Sequence, residues 1–118
     1  MRKIYHLSTC DTCQRIIKEL GLKDLNFEFQ DIKTEKISAE QLGAIYDEVR
    51  SYEALFSKRA MKFRSMGLNE MTLSEIDLRK YILAEYTFLK RPVIWVDKEV
   101  FVGNSKKTIE AAKAALNE

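Results

Sequence analysis

The chain has 118 residues, 46% of them apolar, which is enough to close one hydrophobic core and too few to divide comfortably into two independent domains. Its 20 basic and 18 acidic residues nearly cancel to +2, which excludes a sequence-wide field that would gather nucleic acid or anionic membrane. No apolar run approaches the roughly 20 residues that span a bilayer, and Met1-Arg2-Lys3 leads into a short alternating segment in place of a signal-peptide core, so a cytoplasmic address with no membrane partner is expected.

Ile4-Tyr5-His6-Leu7 reads as a short strand, and from Asp11 the spacing of Ile16, Ile17 and Leu20 predicts a helix that Gly21 can end. Residues 26–32, with Phe27, Phe29 and Ile32 among polar neighbours, predict a strand returning beside the first after a crossover. The opening third is therefore a βαβ unit. Ser38 and Gln41 form a capping box before Leu42, Ile45, Tyr46 and Val49 at helical spacing. Tyr52 to Phe56 and Lys58 to Met66 read as shorter helical pieces ended by Gly67, and Thr72 with Glu75 reads as a second capping box leading into Ile76, Tyr81 and Ile82.

Pro92, the single proline, opens Val93-Ile94-Trp95-Val96, which turns through Asp97-Lys98-Glu99 into Val100-Phe101-Val102 at hairpin spacing. From Ser105 an alanine-rich stretch with Ile109, Ala112 and Leu116 predicts a closing helix. The order βαβ, helices, ββα predicts an α/β fold of thioredoxin-like topology with a mixed four-stranded sheet. Residues 1–118 are expected to form one domain, with a helical insert over about residues 38–88.

Cys10-Asp11-Thr12-Cys13 lies between the first strand and the first helix, where backbone N–H groups and the positive helix end stabilise a thiolate. In such motifs a thiol pKa falls from about 8.5 to roughly 3.5–7.5, which makes Cys10 the expected nucleophile. Cys13, one helical turn later on the same face, is placed to attack an adduct on Cys10 and release it as an internal disulfide. The competing readings are two ordinary buried thiols, or a metal site. Zinc needs about four ligands, and the chain offers no second paired motif; covalent haem needs a histidine after Cys13, where Gln14 stands.

His6 alternates with Ile4 on the first strand and is either a modulator of the thiolate or a strand histidine satisfied by a hydrogen bond. Arg91 precedes Pro92 at the mouth of the third strand, where a cis bond is expected to turn the backbone toward a facing site. Its guanidinium either presents a fork to an oxyanion near Cys10 or is a surface cation. Thr12 and Arg59 complete the candidate oxyanion or substrate contacts, although Lys58, Arg59, Lys62 and Arg64 also fit the wet face of an insert helix, and Arg15 the solvated side of the first helix.

The segments Tyr5 to Cys13, Phe56-Ser57-Lys58-Arg59 to Gly67-Leu68, and Leu89-Lys90-Arg91-Pro92-Val93-Ile94, with Val102-Gly103 following, resemble the ArsC/Spx family over nearly the whole chain. That resemblance implies a thioredoxin-like fold with a helical insert. Cys10, His6 and Arg91 match positions used by the glutaredoxin-linked arsenate reductases of the family, while Ser57 stands where their insert arginine falls and Gly103 where their last arginine falls. Cys13 and Arg59 match the Spx-like branch, whose members regulate transcription by binding the RNA polymerase alpha subunit; Ser51 occupies the position of that branch's contact glycine. The resemblance implies an arsenate-reductase-like thiol oxidoreductase served by an external thiol or a thioredoxin- or glutaredoxin-type reductant, with no metal or organic cofactor. The alternative it implies is a redox-sensing regulator with the alpha subunit as partner and no direct nucleic-acid contact.

Overall fold

Alternation of apolar and polar residues in the first strand, followed by a helical stripe, builds a crossover unit whose two strands must run parallel. The computed structural model describes residues 1–118 and shows this arrangement. β1 (Arg2–His6) pairs in parallel with β2 (Glu28–Asp31) after α1 (Asp11–Leu20) crosses over. β3 (Val93–Val96) then adds antiparallel to β1, and β4 (Glu99–Val102) folds back on β3, giving a mixed four-stranded sheet in the order β2-β1-β3-β4. The remaining helices are α2 (Ala39–Val49), α3 (Tyr52–Leu55), α4 (Met61–Ser65), α5 (Glu75–Ala84) and α6 (Lys106–Leu116). No helix is long and apolar enough to cross a membrane.

The chain packs as two compact units, one formed by Met1–Glu35 with Arg91–Glu118 and the other by Lys36–Lys90. In the first, Ile16, Ile17 and Leu20 of α1 and Ile109 and Ala112 of α6 cover one sheet face through Ile4, Ile94 and Val96. Each fully buried aliphatic side chain there stabilises the fold by about 1.5–3 kcal/mol relative to exposure. Gly21 ends α1 as the sequence predicts: its φ of 65° is left-handed, and its N–H returns to the Ile17 and Lys18 carbonyls.

β2 departs from its sequence reading. Phe29, expected among the strand's apolar positions, is exposed, and its neighbour Gln30 is buried with its amide donating to the Glu35 carbonyl at 3.0 Å. The register pairs Phe29 with Ile4 and Gln30 with Tyr5, so the two side chains lie on opposite faces of the sheet, Phe29 exposed on an edge strand although it shares the face of Ile4.

In the second unit the Ser38–Gln41 capping box forms as expected, with reciprocal bonds of 3.0 Å. The second box shifts: Ser74 caps α5, its hydroxyl accepting from Asp77 N–H at 3.2 Å while Asp77 accepts from Ser74 N–H at 2.9 Å. Glu75, expected to pair with Thr72, instead accepts from the Tyr52 and Glu53 N–H groups at 2.7 and 3.0 Å and so satisfies the start of α3. Ile76, expected in the buried stripe, is 70% exposed, and Leu78 and Ile82 carry the buried face.

The helical piece expected from Lys58 is shorter and begins at Met61, leaving Lys58 and Arg59 in a turn. Phe56, expected to close a helix, instead forms an isolated bridge to Leu89, with Ser57 N–H donating to Phe88 O at 2.7 Å and Lys90 N–H to Leu55 O at 2.8 Å. This strut holds Phe56 stacked on Phe88 with ring centroids 5.0 Å apart.

Candidate active site

β1 ends at His6, and the chain turns through Leu7–Cys10 into α1, with Cys10 at the N-cap in extended conformation. The turn is closed by backbone bonding: Cys10 N–H donates to Leu7 O at 3.1 Å, and Gln14 N–H to Cys10 O at 3.1 Å. Gln14 also sends its side-chain amide back to Leu7 O at 3.0 Å. These bonds set Cys10 half-exposed at the positive end of α1 and Cys13 one turn inside, fully buried. The two cysteines come within 3.5 Å of each other and neither is in a disulfide.

Their environments push the thiols apart in acidity. Burial raises the pKa of Cys10, but the Cys13 N–H, the Cys13 thiol, the Arg91 guanidinium and the Thr12 N–H together bring it below the ordinary thiol value. Cys13 is pushed up to about 12, first by burial and further by its bond to Cys10 and the charge beside it; the Leu7 N–H and Arg91 oppose this without overcoming it. At neutral pH the pair therefore presents one ionisable sulfur at the surface and one protonated sulfur behind it.

Arg91 is half-buried at the mouth of β3, and its positive field reaches both cysteines. The Arg91–Pro92 peptide bond is cis, and the buried Pro92 accepts from Gly103 N–H at 2.9 Å, tying the end of β4 to the start of β3. Thr12 reaches Cys10 through its main chain. His6 is 8% exposed, packs edge-on against Phe29 at 5.8 Å, and leaves Nδ1 without a hydrogen-bond partner. Burial lowers its pKa against the opposing pull of Asp31 and of a main-chain bond to Leu7. Arg59 belongs to the second unit, exposed in the turn before α4.

Sequence reasoning missed one residue that shapes this site, Gln14. Asp31 ends β2, where its carboxylate accepts from Lys33 N–H at 3.1 Å and its pKa is held below the usual carboxylate value, first by Ser8. No group of three or more His, Cys, Asp or Glu side chains is placed to hold a metal ion.

With this geometry in place, likeness to known proteins is informative. The chain is 25% identical over 107 residues to the global transcriptional regulator Spx of Lactiplantibacillus plantarum, covering 90% of this chain and 81% of that protein. Among solved structures it superposes on the YFFB protein with a TM-score of 0.82 at 24% identity, covering 98% of this chain and 99% of that one, which is a likeness of fold. It also superposes on an arsenate reductase (ArsC) related protein from Brucella melitensis with a TM-score of 0.70 at 27% identity, covering 93% and 92% of the two chains. The ArsC family model matches residues 5–112, from the middle of β1 into α6 and across both cysteines, and the chain belongs to the ArsC family.

Proposed function

We propose that the protein is an arsenate-reductase-like thiol oxidoreductase, in which Cys10 is the nucleophile and Cys13 the resolving thiol. The observation that carries this reading is the split between the two sulfurs: Cys10 is half-exposed with its pKa lowered, and Cys13 is buried, within 3.5 Å, with its pKa pushed up to about 12. A nucleophile must be ionised and reachable; a resolving thiol must wait.

The Cys10 thiolate attacks one sulfur of a disulfide or glutathione adduct, forming a mixed disulfide and expelling the other sulfur as a thiolate. Forming that bond removes the negative charge from Cys10, and with it one of the causes that hold Cys13 protonated. Cys13 then gives up its proton and attacks Cys10 sulfur, closing the Cys10–Cys13 disulfide and releasing the second substrate sulfur, which takes the proton. Two electrons have left the pair. An external dithiol or two small thiols of the thioredoxin or glutaredoxin kind return them. With an oxyanion substrate, Arg91 supplies the balancing charge beside Cys10.

The assay is reduction of a glutathionylated peptide. Cys13→Ser is expected to release one thiol per protein in a burst and then stall as a Cys10–glutathione adduct visible by intact mass. A variant that instead turns over at the wild-type rate, without the adduct, removes Cys13 from the mechanism.

Similarity to Spx supports a second reading, in which the Cys10–Cys13 disulfide alters the start of α1 and so a surface that binds the RNA polymerase alpha subunit. Ser51, at the position expected for contact, caps α3 by accepting from Ala54 N–H at 3.1 Å. On this reading, immobilised protein captures purified alpha subunit differently in its reduced and oxidised states; equal capture, or none in either state, excludes the switch.

A further inference from the structure

The Leu7 carbonyl takes two donors, Cys10 N–H at 3.1 Å and the side-chain amide of Gln14 at 3.0 Å. Gln14 also sends its own N–H to Cys10 O at 3.1 Å, so one residue holds both ends of the Leu7–Cys10 turn. Any residue but proline would make the main-chain bond as α1 begins; the bond to Leu7 O depends on the glutamine side chain. Helical side chains lean toward the N-terminus of their helix, which lets a residue in the first turn of α1 reach back to the carbonyl before it. The amide nitrogen must face Leu7, because the amide oxygen there would meet a second acceptor. Ser8 and Thr9, between the held ends, are exposed, and Cys10 makes no side-chain capping bond. An exposed turn of this kind opens readily, and each internal bond it keeps makes opening rarer.

We propose that Gln14 is a positioning residue of the thiol site, its amide tying the Leu7 carbonyl to α1 so that the turn holds the Cys10 sulfur at the helix start. This rests on the reading of Cys10 as the nucleophile. Gln14 carries no charge, so it acts on Cys10 through geometry, where Arg91 acts through its field. With the tie cut, Leu7 O keeps only its bond from Cys10 N–H, and the turn opens more often. The sulfur then spends part of its time away from the Thr12 and Cys13 N–H groups that favour its thiolate. The fold itself should stand, because α1 is anchored to the sheet by Ile16, Ile17 and Leu20 and not by the amide. What changes is the acidity and speed of one thiol.

The test is the pH profile of Cys10 alkylation by iodoacetamide in the full-length reduced protein, read by peptide mass for wild type, Gln14→Met, Gln14→Ala and Gln14→Lys, with urea unfolding of each alongside. Met keeps the length and apolar stem of glutamine without a donor; Lys keeps a donor at similar reach and adds a positive charge. Gln14→Met and Gln14→Ala are expected to raise the Cys10 midpoint by about half to one pH unit. Below the midpoint they should slow alkylation by about twofold to fourfold, the fall in thiolate outweighing the gain in nucleophilicity. Gln14→Lys should titrate at or below the wild-type midpoint. If Gln14→Met and Gln14→Ala keep that midpoint, even with a lower urea midpoint, the bond only stabilises the fold and the proposal fails. It also fails if Gln14→Lys rises with them, since the donor is then not what matters. A wild-type midpoint at the free-thiol value refutes instead the reading of Cys10 on which the proposal stands.

Discussion

Cys10→Ser is expected to lower disulfide reduction by roughly a thousandfold or more, because no other sulfur in the site can take over the attack. Cys13 is the only substitute, and a thiol with a pKa of about 12 is ionised to about one part in a hundred thousand at pH 7. Its higher basicity recovers part of that loss through greater intrinsic nucleophilicity, by about half a decade or less per unit of pKa. Burial, the largest cause of the raised value, stays in place when Cys10 becomes serine. The serine hydroxyl fits the N-cap but remains protonated, so the helix end that stabilises a thiolate has no anion to stabilise. The same physics sets the wild-type pH dependence. Activity should rise with pH as Cys10 loses its proton, with a midpoint below that of an ordinary thiol, and fall at acid pH. The decisive measurement is the steady-state rate on a glutathionylated peptide across pH for both proteins. A Cys10→Ser rate within tenfold of wild type would place the nucleophile elsewhere.

The largest effect on stability is expected at Phe88. This ring is fully buried, stacked on Phe56 with centroids 5.0 Å apart and met edge-on by Tyr81 at 6.0 Å. Phe88→Ala removes the whole ring and leaves a cavity that its neighbours fill only in part, a change that costs about 3–5 kcal/mol. Domains of this size are stable by about 5–15 kcal/mol, so the substitution removes a large part of the total. The main-chain strut from Ser57 N–H to Phe88 O does not depend on the ring and should survive, which makes loss of packing the isolated variable. Phe88→Leu, which retains most of the apolar volume, should lose much less. Urea unfolding of the three proteins provides the test: a lowered midpoint at unchanged slope is expected, and a loss under about 1 kcal/mol for Phe88→Ala would show that the aromatic cluster is not the anchor of the second unit.

Features written in a few adjacent residues were legible in the sequence. The Ser38–Gln41 box, the stop at Gly21 and the hairpin after Pro92 each depend on local spacing, and each stands where that spacing puts it. The run Thr72-Leu73-Ser74-Glu75-Ile76-Asp77 contains two overlapping capping frames, and local pattern has no means of choosing between them. The choice is made by α3, whose unsatisfied N–H groups take the Glu75 carboxylate and leave Ser74 and Asp77 to cap α5. β2 illustrates the same limit, since apolar character pointed to Phe29, which is exposed on the edge strand, while Gln30 is buried with its amide bonded to the Glu35 carbonyl. In the site, the spacing of Cys10 and Cys13 was sufficient to single them out. Gln14 was invisible because its bond to Leu7 O runs back against the chain.

Gly103 constrains what this scaffold can become. It follows β4 with a φ of 92°, a backbone region that residues with a Cβ rarely adopt, and its N–H closes onto Pro92 O. The arginine that related arsenate reductases are expected to carry at this point would meet open space here, but on a strained backbone. Grafting their full arginine set onto this chain is therefore a loop-redesign problem: the turn between β4 and α6 must first be rebuilt with an ordinary φ.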